Sequence, residues 1–260
     1  MKPVESIAEM SERGDKPEIL FWVGCTGSFD PRAQKVTRAF CELLQKAEIS
    51  FAILGKEEQC TGDPARRAGN EFVFQMLALQ NIQTLNAYSI EKIVTTCPHC
   101  FNILKNEYPQ LGGNYEVIHH TQLLKSLLEE GKIKVAESKS DRGKVTYHDS
   151  CYLGRANQVY EAPRDVLNHL TTQLVEMERN RAKGLCCGAG GGQMFKEDEP
   201  GDKRINIERT EEALRTGANS IVVNCPFCLT MMTDGVKAKD KEENIMVYDL
   251  SEMILKSIIE

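Results

Sequence analysis

The chain has 260 residues, 41% of them hydrophobic and 27% charged, and its formal net charge is −6. This length allows two domains of ordinary size, and the acidic balance argues against a nucleic-acid-binding protein, which normally carries a basic face. The sequence contains no apolar run of about 18 residues, and residues 1–16 lack the basic start and apolar stretch of a signal peptide. We therefore expect a cytoplasmic protein that does not itself span a membrane.

The first half of the chain alternates short apolar runs with segments of helical periodicity. Strands are predicted at Ile19–Val23, Ser50–Leu54 and Ile93–Thr96, and helices at Ala33–Ala47, at Pro64–Tyr88 and from Pro98 onward. Pro31 suits the first turn of the first helix, and Asp63 suits the N-cap of the second. Strands that alternate with helices indicate a parallel sheet with right-handed crossovers.

The second half of the chain repeats the first. A Cys-Pro-x-Cys motif at Cys97–Cys100 returns at Cys225–Cys228. The interval Cys25–Cys60 covers 35 positions, and so does the interval Cys151–Cys186. Three cysteine landmarks in matching order indicate an internal duplication. The predicted parts are a first unit at 17–130, a charged linker at 131–143 and a second unit at 144–258.

The fold class predicted from this pattern is α/β, with two tandem pseudo-symmetric units, each a small, mainly parallel sheet flanked by helices. In open parallel sheets, ligands bind beyond the carboxyl ends of the strands. Because the cysteines follow predicted strands, we expect each set to converge at that edge of its sheet. The candidate metal ligands are Cys25, Cys60, Cys97 and Cys100 in the first unit and Cys151, Cys186, Cys187, Cys225 and Cys228 in the second.

The chain has ten cysteines, and in a reducing compartment such a number favours metal binding or redox chemistry over disulfides. Cys97 and Cys100 stand in the first turn of a predicted helix, where free N–H groups and a partial positive charge favour thiolate, the metal-binding form. In the second unit, Cys186 and Cys187 lead directly into the glycine-rich segment 188–192, whose backbone can approach a bulky cofactor closely.

Residue chemistry alone leaves three alternatives to a metal–sulfur cluster. Four thiolates per unit can hold structural zinc. The Cys97–Cys100 motif at a strand–helix junction is similar to a thioredoxin-type dithiol, and the even cysteine count allows disulfides. Cys41, which lies inside a predicted helix, is interpreted as a buried small hydrophobe and not as a ligand.

The two cysteine sets resemble the pattern Cys…Cys-Cys-Gly…Cys-x-x-Cys of the CCG, or cysteine-rich, domain iron–sulfur oxidoreductase family. That family includes the B-type subunit of heterodisulfide reductase, the iron–sulfur subunit of glycolate oxidase, and succinate and thiol:fumarate reductase relatives. Three segments look most similar to the branch linked to electron-transfer flavoprotein and quinone, and they are Cys60–Arg67, Cys97–Asn102 and His148–Arg155. The resemblance covers roughly residues 17–258.

The resemblance implies a redox role. In heterodisulfide reductase each five-cysteine set holds a non-cubane [4Fe–4S] cluster, so the five cysteines of the second unit would hold such a cluster. The first unit departs from the family pattern, because Thr61 stands where the second cysteine of the adjacent pair should be. This departure leaves a cubane iron–sulfur cluster, zinc or an empty site as the options for the first unit.

The function that the resemblance implies is that of an iron–sulfur electron-transfer subunit of a multi-subunit oxidoreductase. The expected partners are a ferredoxin-like iron–sulfur subunit and, beyond it, a flavoprotein or a membrane quinone module. Such a protein would be cytoplasmic, or peripheral to the membrane through a partner, and would not bind nucleic acid. The alternatives from other classes are a zinc-stabilised, non-redox scaffold protein and a metal-free dithiol oxidoreductase.

Several other polar residues lie near the predicted sites. His148 and Arg155 flank the first cysteine of the second unit and are candidates for bonding around the cluster. His119 and His120 follow a predicted strand, where they would relay protons, contact a partner, or form a strand-end pair bonded to the backbone. His99 lies between two candidate ligands and is predicted to point outward.

Overall fold

The computed structural model describes residues 2–136, 143–170, 173–197 and 200–258. The chain divides into two compact units, Met1–Ile133 and Lys134–Glu260. Each unit contains a small parallel sheet with helices, so the predicted α/β architecture of two similar units is confirmed. Residues 137–142 of the predicted linker lie outside the described residues, and the unit boundaries predicted from the sequence stay a prediction.

The first unit is built on a four-stranded parallel sheet with the strand order β2-β1-β3-β4. Its strands are β1 (Ile19–Trp22), β2 (Phe51–Ala52), β3 (Lys92–Thr95) and β4 (Glu116–His119). All four residues of β1 are buried. This is expected for an inner strand of a parallel sheet, which is normally covered on both faces.

The helices of the first unit lie before, between and after these strands. They are α1 (Ile7–Glu12), α2 (Gly24–Phe29), α3 (Pro31–Lys46), α4 (Asp63–Arg67), α5 (Glu71–Ala87), α6 (Pro98–Asn102) and α7 (His120–Glu129). Pro31 occupies the first turn of α3 as predicted, and Asp30 caps this helix by accepting a hydrogen bond from the backbone N–H of Ala33 at 2.7 Å.

The single helix predicted at Pro64–Tyr88 is two helices in the structure, α4 and α5, so that prediction is wrong. Gly69, with a φ of +85°, adopts a left-handed conformation just after α4 ends. Asn70 then caps α5, because its side chain accepts a hydrogen bond from the backbone N–H three residues further on at 3.1 Å. Asp63 is the first residue of α4 and not its N-cap, which is Gly62.

The second unit has a parallel sheet with the strand order β5-β6-β7 among its described residues. Its elements are β5 (Val145–Tyr147), α8 (Glu161–Leu170), α9 (Ile205–Arg215), β6 (Ser220–Val223), α10 (Pro226–Lys237), β7 (Met246–Asp249) and α11 (Leu250–Leu255). A parallel bridge joins Val145 of β5 to Leu174. Leu174 thus lies beside β5 as β2 lies beside β1, and the order β5-β6-β7 corresponds to the order β1-β3-β4 of the first unit.

The carboxyl ends of the strands set where the cysteines lie. β3 ends at Thr95, two positions before Cys97, and β6 ends at Val223, two positions before Cys225. Because parallel strands end at one edge of their sheet, the residues that follow them meet there. No helix in the described part of the chain is both long enough and apolar enough to cross a membrane.

Candidate metal centres

In the first unit, the four candidate cysteines lie beyond the carboxyl ends of the strands. Cys25 stands in α2, which begins directly after β1, and Cys60 follows β2 after a loop that contains one 3₁₀ turn. Cys97 is the N-cap of α6, and Cys100 lies within that helix. Cys97 and Cys100 are buried, Cys60 is half-buried and Cys25 is exposed.

Hydrogen bonds and close contacts bring these four side chains together. Cys25 and Cys60 are hydrogen-bonded to each other, as are Cys97 and Cys100. The two pairs meet at Thr61, which follows Cys60 directly and whose Oγ1 lies 3.9 Å from Sγ of Cys100. The structure therefore places all four cysteines predicted for the first unit at one site.

These contacts divide the thiols of the first unit into one that ionises easily and two that do not. The hydrogen bond from Cys60 lowers the pKa of Cys25 to about 6, and the same bond raises the pKa of Cys60. The hydrogen bond to Cys97, together with burial, raises the pKa of Cys100 well above its ordinary value. Because thiolate is the form that ligates metals, a bound metal would displace the protons that these bonds hold.

A carboxylate joins the segments that carry the first two cysteines of this unit. Glu58, two positions before Cys60, accepts hydrogen bonds from the backbone N–H of Val23 at 2.9 Å and of Gly24 at 2.5 Å. Burial raises the pKa of Glu58 to about 7. Gly24 has a φ of +78°, and a Cβ at this position would lie 3.5 Å from Sγ of Cys100, so the backbone passes close to that sulfur.

His99 is buried, so the prediction that it points outward is wrong. Its Nδ1 lies 2.8 Å from Oδ2 of Asp63. Asp63 also accepts a hydrogen bond from Nε of Arg67 at 3.1 Å, and Arg67 forms an ion pair with Glu107. This charged network fixes the turn between Cys97 and Cys100 against α4, because charge-assisted hydrogen bonds are stronger than neutral ones.

The second unit brings its five candidate cysteines together in a similar arrangement. Cys225 is the N-cap of α10, Cys228 lies within α10, and both are buried. Sγ of the buried Cys187 lies 3.4 Å from Sγ of Cys228. Cys186 and Cys151 are half-buried and hydrogen-bonded to each other. The edge of this sheet therefore carries all five sulfurs that the sequence singled out.

Cys186 loses its proton more easily than Cys151, Cys187 and Cys228. Hydrogen bonds from Cys151 and Cys187 lower the pKa of Cys186, and the backbone N–H of Gly188 also donates to Sγ of Cys186 at 3.3 Å. The pKa values of Cys151, Cys187 and Cys228 are raised, mainly because each is hydrogen-bonded to a neighbouring sulfur. Gly188 has a φ of +95°, a backbone conformation that glycine adopts readily.

His148 lies at the cysteines of the second unit. One ring nitrogen of His148 and the sulfurs of Cys187 and Cys228 all lie within 4.8 Å of one another. Nδ1 accepts a hydrogen bond from Nε of Arg209 at 3.0 Å, and Nε2 is buried without a hydrogen-bond partner among the described residues. Burial, with the positive charge of Arg209 adding to it, lowers the pKa of His148 to about 3. The imidazole at this site is therefore neutral.

Two side chains join the segment around Cys151 to the segment that leads to the Cys-Cys pair. Arg155 donates from Nη1 to the carbonyl oxygen of Gly184 at 2.5 Å. Asp149 accepts a hydrogen bond from the backbone N–H of Arg181 at 2.7 Å and forms a buried ion pair with Arg164 at 2.9 Å. Arg155 thus bonds to the backbone of the site.

His119 and His120 are fully buried in the first unit. His119 is the N-cap of α7 and accepts a hydrogen bond from the backbone N–H of Thr121 at 3.5 Å. The two histidine rings lie 4.4 Å apart and pack edge-on against Phe101 and Phe40. These contacts agree with the alternative of a strand-end pair bonded to the backbone, and they give no support to a proton relay.

Two residues of these sites, Glu58 and Arg209, were not predicted from the sequence. A signal for Glu58 exists, because a carboxylate two positions before a candidate cysteine occurs in both units, as Glu58 and as Asp149. No local pattern marks Arg209, which meets His148 from 61 positions further along the chain.

The cysteine-rich domain family CCG matches residues 19–105 and 145–233. The chain belongs to this family. Each compact unit contains one of the two matched segments, so the duplication recognised from the cysteine spacing is a duplication of the CCG domain.

Proteins of known sequence from three organisms are similar to this CCG chain. It is 48% identical over 257 residues to the Bacillus subtilis protein named Probable iron-sulfur-binding oxidoreductase FadF, and 48% identical over 260 residues to EtfAB:quinone oxidoreductase of Syntrophomonas wolfei. It is 36% identical over 253 residues to a subunit of the dihydromethanophenazine:CoB–CoM heterodisulfide reductase of Methanosarcina barkeri. These alignments cover 98%, 98% and 94% of the chain but only 36%, 36% and 60% of the respective relatives.

A solved structure of a hypothetical protein from Helicobacter pylori has a similar fold. The TM-score is 0.61 at 9% sequence identity, and the match covers 94% of this chain and 50% of that chain. At so low an identity the likeness concerns the fold alone.

Proposed function

We propose that the second unit holds a non-cubane [4Fe–4S] cluster through its five cysteines and that the chain passes electrons within a larger oxidoreductase. The observation that carries this proposal is the convergence of five thiols, two of them with sulfurs 3.4 Å apart, at the carboxyl edge of one parallel sheet. Cysteine thiolates are the ligands that proteins use to hold iron–sulfur clusters. The cysteines concerned are Cys151, Cys186, Cys187, Cys225 and Cys228.

The surroundings of these cysteines suit a bulky group that is rich in sulfur. Segment 188–192 contains four glycines, and the N–H of Gly188 already donates to a cysteine sulfur. The buried Nε2 of His148 has no hydrogen-bond partner in the described part of the chain, and a cluster sulfur would supply one. When bound, such a cluster supplies a redox centre, while the chain's own residues hold it and exclude water from it.

For the first unit we propose a site of a different kind, either a cubane iron–sulfur cluster or zinc, held by four cysteines. Thr61 is only 2% exposed and contacts Cys100, but its hydroxyl cannot replace a thiolate as a fifth sulfur ligand. Four thiolates suit either a cubane cluster or structural zinc. The cysteines concerned are Cys25, Cys60, Cys97 and Cys100.

We further propose that this chain works with other redox modules. The relatives named as an iron–sulfur-binding oxidoreductase and as a quinone oxidoreductase are longer proteins, of which the chain matches 36%. We infer a ferredoxin-like iron–sulfur part, in the same polypeptide or in a separate subunit, with a flavoprotein or a membrane quinone module beyond it. A cytoplasmic location, peripheral to the membrane through such a partner, fits this proposal.

The cluster of the second unit is tested by Cys187→Ser, because the adjacent cysteine pair occurs only in that unit. We expect anaerobically purified variant protein to lose about four iron atoms and an EPR signal that belongs to one cluster, while metal in the first unit stays bound. Iron and sulfide assays with EPR measure both effects. Cys41→Ser is the matched control, since Cys41 is buried inside α3 and should leave the metal content unchanged.

Unchanged iron content and an unchanged spectrum in Cys187→Ser would contradict the proposed ligand set. Zinc at about one per chain, beside iron for a single cluster, would identify the first site as a zinc site. The partner is tested by anaerobic purification in low detergent. A strictly monomeric chain that turns over a small substrate at natural rates without any added module would contradict the proposed dependence on a partner.

A further inference from the structure

Nε2 of His148, at the second site, is a buried polar atom. The side chain is 1% exposed, and Nε2 is buried with no hydrogen-bond partner among the residues that the structure describes. A buried polar atom without a partner costs free energy, so such an atom in a folded protein calls for a missing acceptor or donor. The other ring nitrogen is occupied, because Nδ1 accepts the hydrogen bond from Arg209 at 3.0 Å.

The hydrogen bond from Arg209 decides which nitrogen of His148 carries the proton. The guanidinium of Arg209 can only donate, so Nδ1 must offer a lone pair and cannot bear a hydrogen. A neutral imidazole then has its hydrogen on Nε2. A nitrogen that bears a hydrogen has no lone pair for a metal, and His148 is therefore a donor and not a sixth ligand.

The acceptor that this N–H requires is a sulfur. One ring nitrogen of His148 and the sulfurs of Cys187 and Cys228 all lie within 4.8 Å of one another, and Nε2 is the ring nitrogen that has no hydrogen-bond partner among the described residues. Nη2 of Arg209, on a fully buried side chain, is a second donor for which residues 2–136, 143–170, 173–197 and 200–258 provide no hydrogen-bond partner. Two unsatisfied donors on neighbouring side chains favour a negatively charged acceptor, such as a cluster with its thiolates.

We propose that His148 donates a hydrogen bond from Nε2 to a sulfur of the cluster in the second unit, and that Arg209 acts as a positioning residue that fixes the tautomer. This inference rests on the proposed function of the second unit. The reduced cluster carries more negative charge than the oxidised one, so an N–H···S bond stabilises the reduced form more. Hydrogen bonds to cluster sulfurs are among the features that set reduction potentials, and this bond raises the potential.

The first unit has a buried N–H group at the equivalent position of the repeat. Trp22 stands three positions before Cys25, as His148 stands three positions before Cys151. Trp22 is fully buried, and no described residue forms a hydrogen bond with its Nε1. An indole N–H can donate but can neither ligate a metal nor change its tautomer. The recurrence at this position of a ring that donates supports the assignment of His148 as a donor.

The test compares His148→Leu with His148→Gln, each purified anaerobically as the full chain with its cluster. His148→Leu removes the N–H, and we expect the iron and sulfide contents to stay unchanged. The equilibrium constant for reduction of the cluster should fall about tenfold, which lowers the reduction potential by ~59 mV for a one-electron couple. His148→Gln keeps an N–H near the position of Nε2 and should restore most of the difference. His169→Leu is the control, because His169 is exposed on α8. Redox titration followed by EPR gives the potentials.

Two results would overturn the donor assignment. One is a potential for His148→Leu equal to that of the control, and the other is a loss of iron as large as that in Cys187→Ser, which would make His148 a ligand. If His148→Leu fails to fold, EPR of the wild-type protein labelled with ¹⁵N-histidine decides between the two assignments. A histidine nitrogen that couples weakly to the electron spin of the cluster and carries an exchangeable proton supports the hydrogen bond. A nitrogen that couples strongly to this spin refutes it. Wild-type protein without iron would instead refute the proposed function itself.

Discussion

The two units place different side chains at the same point of the same site. In the second unit, Sγ of Cys187 lies 3.4 Å from Sγ of Cys228, and in the first, Oγ1 of Thr61 lies 3.9 Å from Sγ of Cys100. Thr61 and Cys187 are both buried, at 2% and 4% exposure. Both units therefore bring this position into the site, and at this position they differ in the chemistry of one side chain.

In each unit a carboxylate joins the two segments that carry the first two cysteine positions, but it comes from a different segment in each. In the first, the carboxylate of Glu58 reaches from the segment of the second cysteine to backbone N–H groups just before Cys25. In the second, the carboxylate of Asp149 reaches from the segment of the first cysteine to the N–H of Arg181, before the Cys-Cys pair. Each carboxylate thus joins two loops, and each therefore helps to hold two cysteines side by side.

The largest expected effect comes from Thr61→Cys, which supplies the first unit with the sulfur that it lacks. Because Thr61 is buried and already contacts Cys100, we expect the new thiol to join the four existing ones without a change of fold. The spectrum of the first site should then move toward that of the second. EPR and visible absorption of anaerobically reconstituted protein would measure this shift, with Ser28→Cys, at an exposed position of α2, as the control.

A wild-type protein with two spectroscopically equivalent non-cubane clusters would contradict this comparison. In that case the fifth sulfur would not be what separates the two units, and Thr61→Cys would change nothing. A variant that binds more iron than the wild type, with zinc displaced, would sharpen the comparison by showing that the wild-type first site is a zinc site.

The next largest effect concerns the buried charges beside the two sites. Arg164 is 3% exposed and pairs with Asp149, whereas Arg67, which pairs with Asp63, is 28% exposed. Asp149→Ala leaves a buried guanidinium with less compensation, and we expect it to lower the free energy of unfolding by about 3 kcal/mol. Asp63→Ala also removes the partner of Nδ1 of the buried His99, but its cation Arg67 reaches water, so we expect a cost of about 1–2 kcal/mol.

Urea denaturation of metal-free protein, followed by circular dichroism, measures both costs. Equal losses in the two variants would show that burial of the cation does not decide the difference. Asp165→Ala is the matched control for the second unit, because Asp165 is a partly exposed carboxylate on α8 beside the buried Arg164.

Much of the fold and of the candidate ligand set could be predicted from local sequence. The apolar runs of β1 and β3 and the spacing of nine cysteines were sufficient for the α/β architecture and the duplication. The break between α4 and α5 was missed because only Gly69 and Asn70 mark it, where one helix ends and the next begins. A single glycine inside a predicted helix is a weak signal against a continuous helix.

The environment of the histidines could not be predicted, because it depends on partners that are distant in sequence. His99 is buried by its contact with Asp63, 36 positions away, and the tautomer of His148 depends on Arg209, 61 positions away. Neither partner stands in a pattern that links it to its histidine. The sequence thus indicates which residues reach the edge of the sheet, whereas their protonation depends on contacts that only the folded chain makes.

Two glycines beside the sites occupy equivalent positions in the two units. Gly62 and Gly188 each follow the position where Thr61 and Cys187 differ, and each donates its N–H to the sulfur two positions earlier, at 3.4 Å and 3.3 Å. Their φ angles are +87° and +95°. Both backbones therefore adopt the left-handed conformation, in which a Cβ is unfavourable.

Alanine at either glycine should weaken the fold, and more so in the first unit. The backbone strain alone costs roughly 1–2 kcal/mol. A Cβ at Gly62 would meet the ring of Phe74 at 3.0 Å and its backbone at 3.2 Å, whereas the nearest atoms to a Cβ at Gly188 would lie 3.4 Å away, an ordinary van der Waals distance. We therefore expect Gly62→Ala to lower the free energy of unfolding by about 1 kcal/mol more than Gly188→Ala, since overpacking adds to the strain.

Gly112→Ala isolates the strain, because Gly112 has a φ of +89° and no atom of the described residues within 4 Å of the added Cβ. Urea denaturation measures the free energy of unfolding of the three variants. If Gly62→Ala lowers it no more than Gly112→Ala does, the close approach of Phe74 does not contribute to the destabilisation.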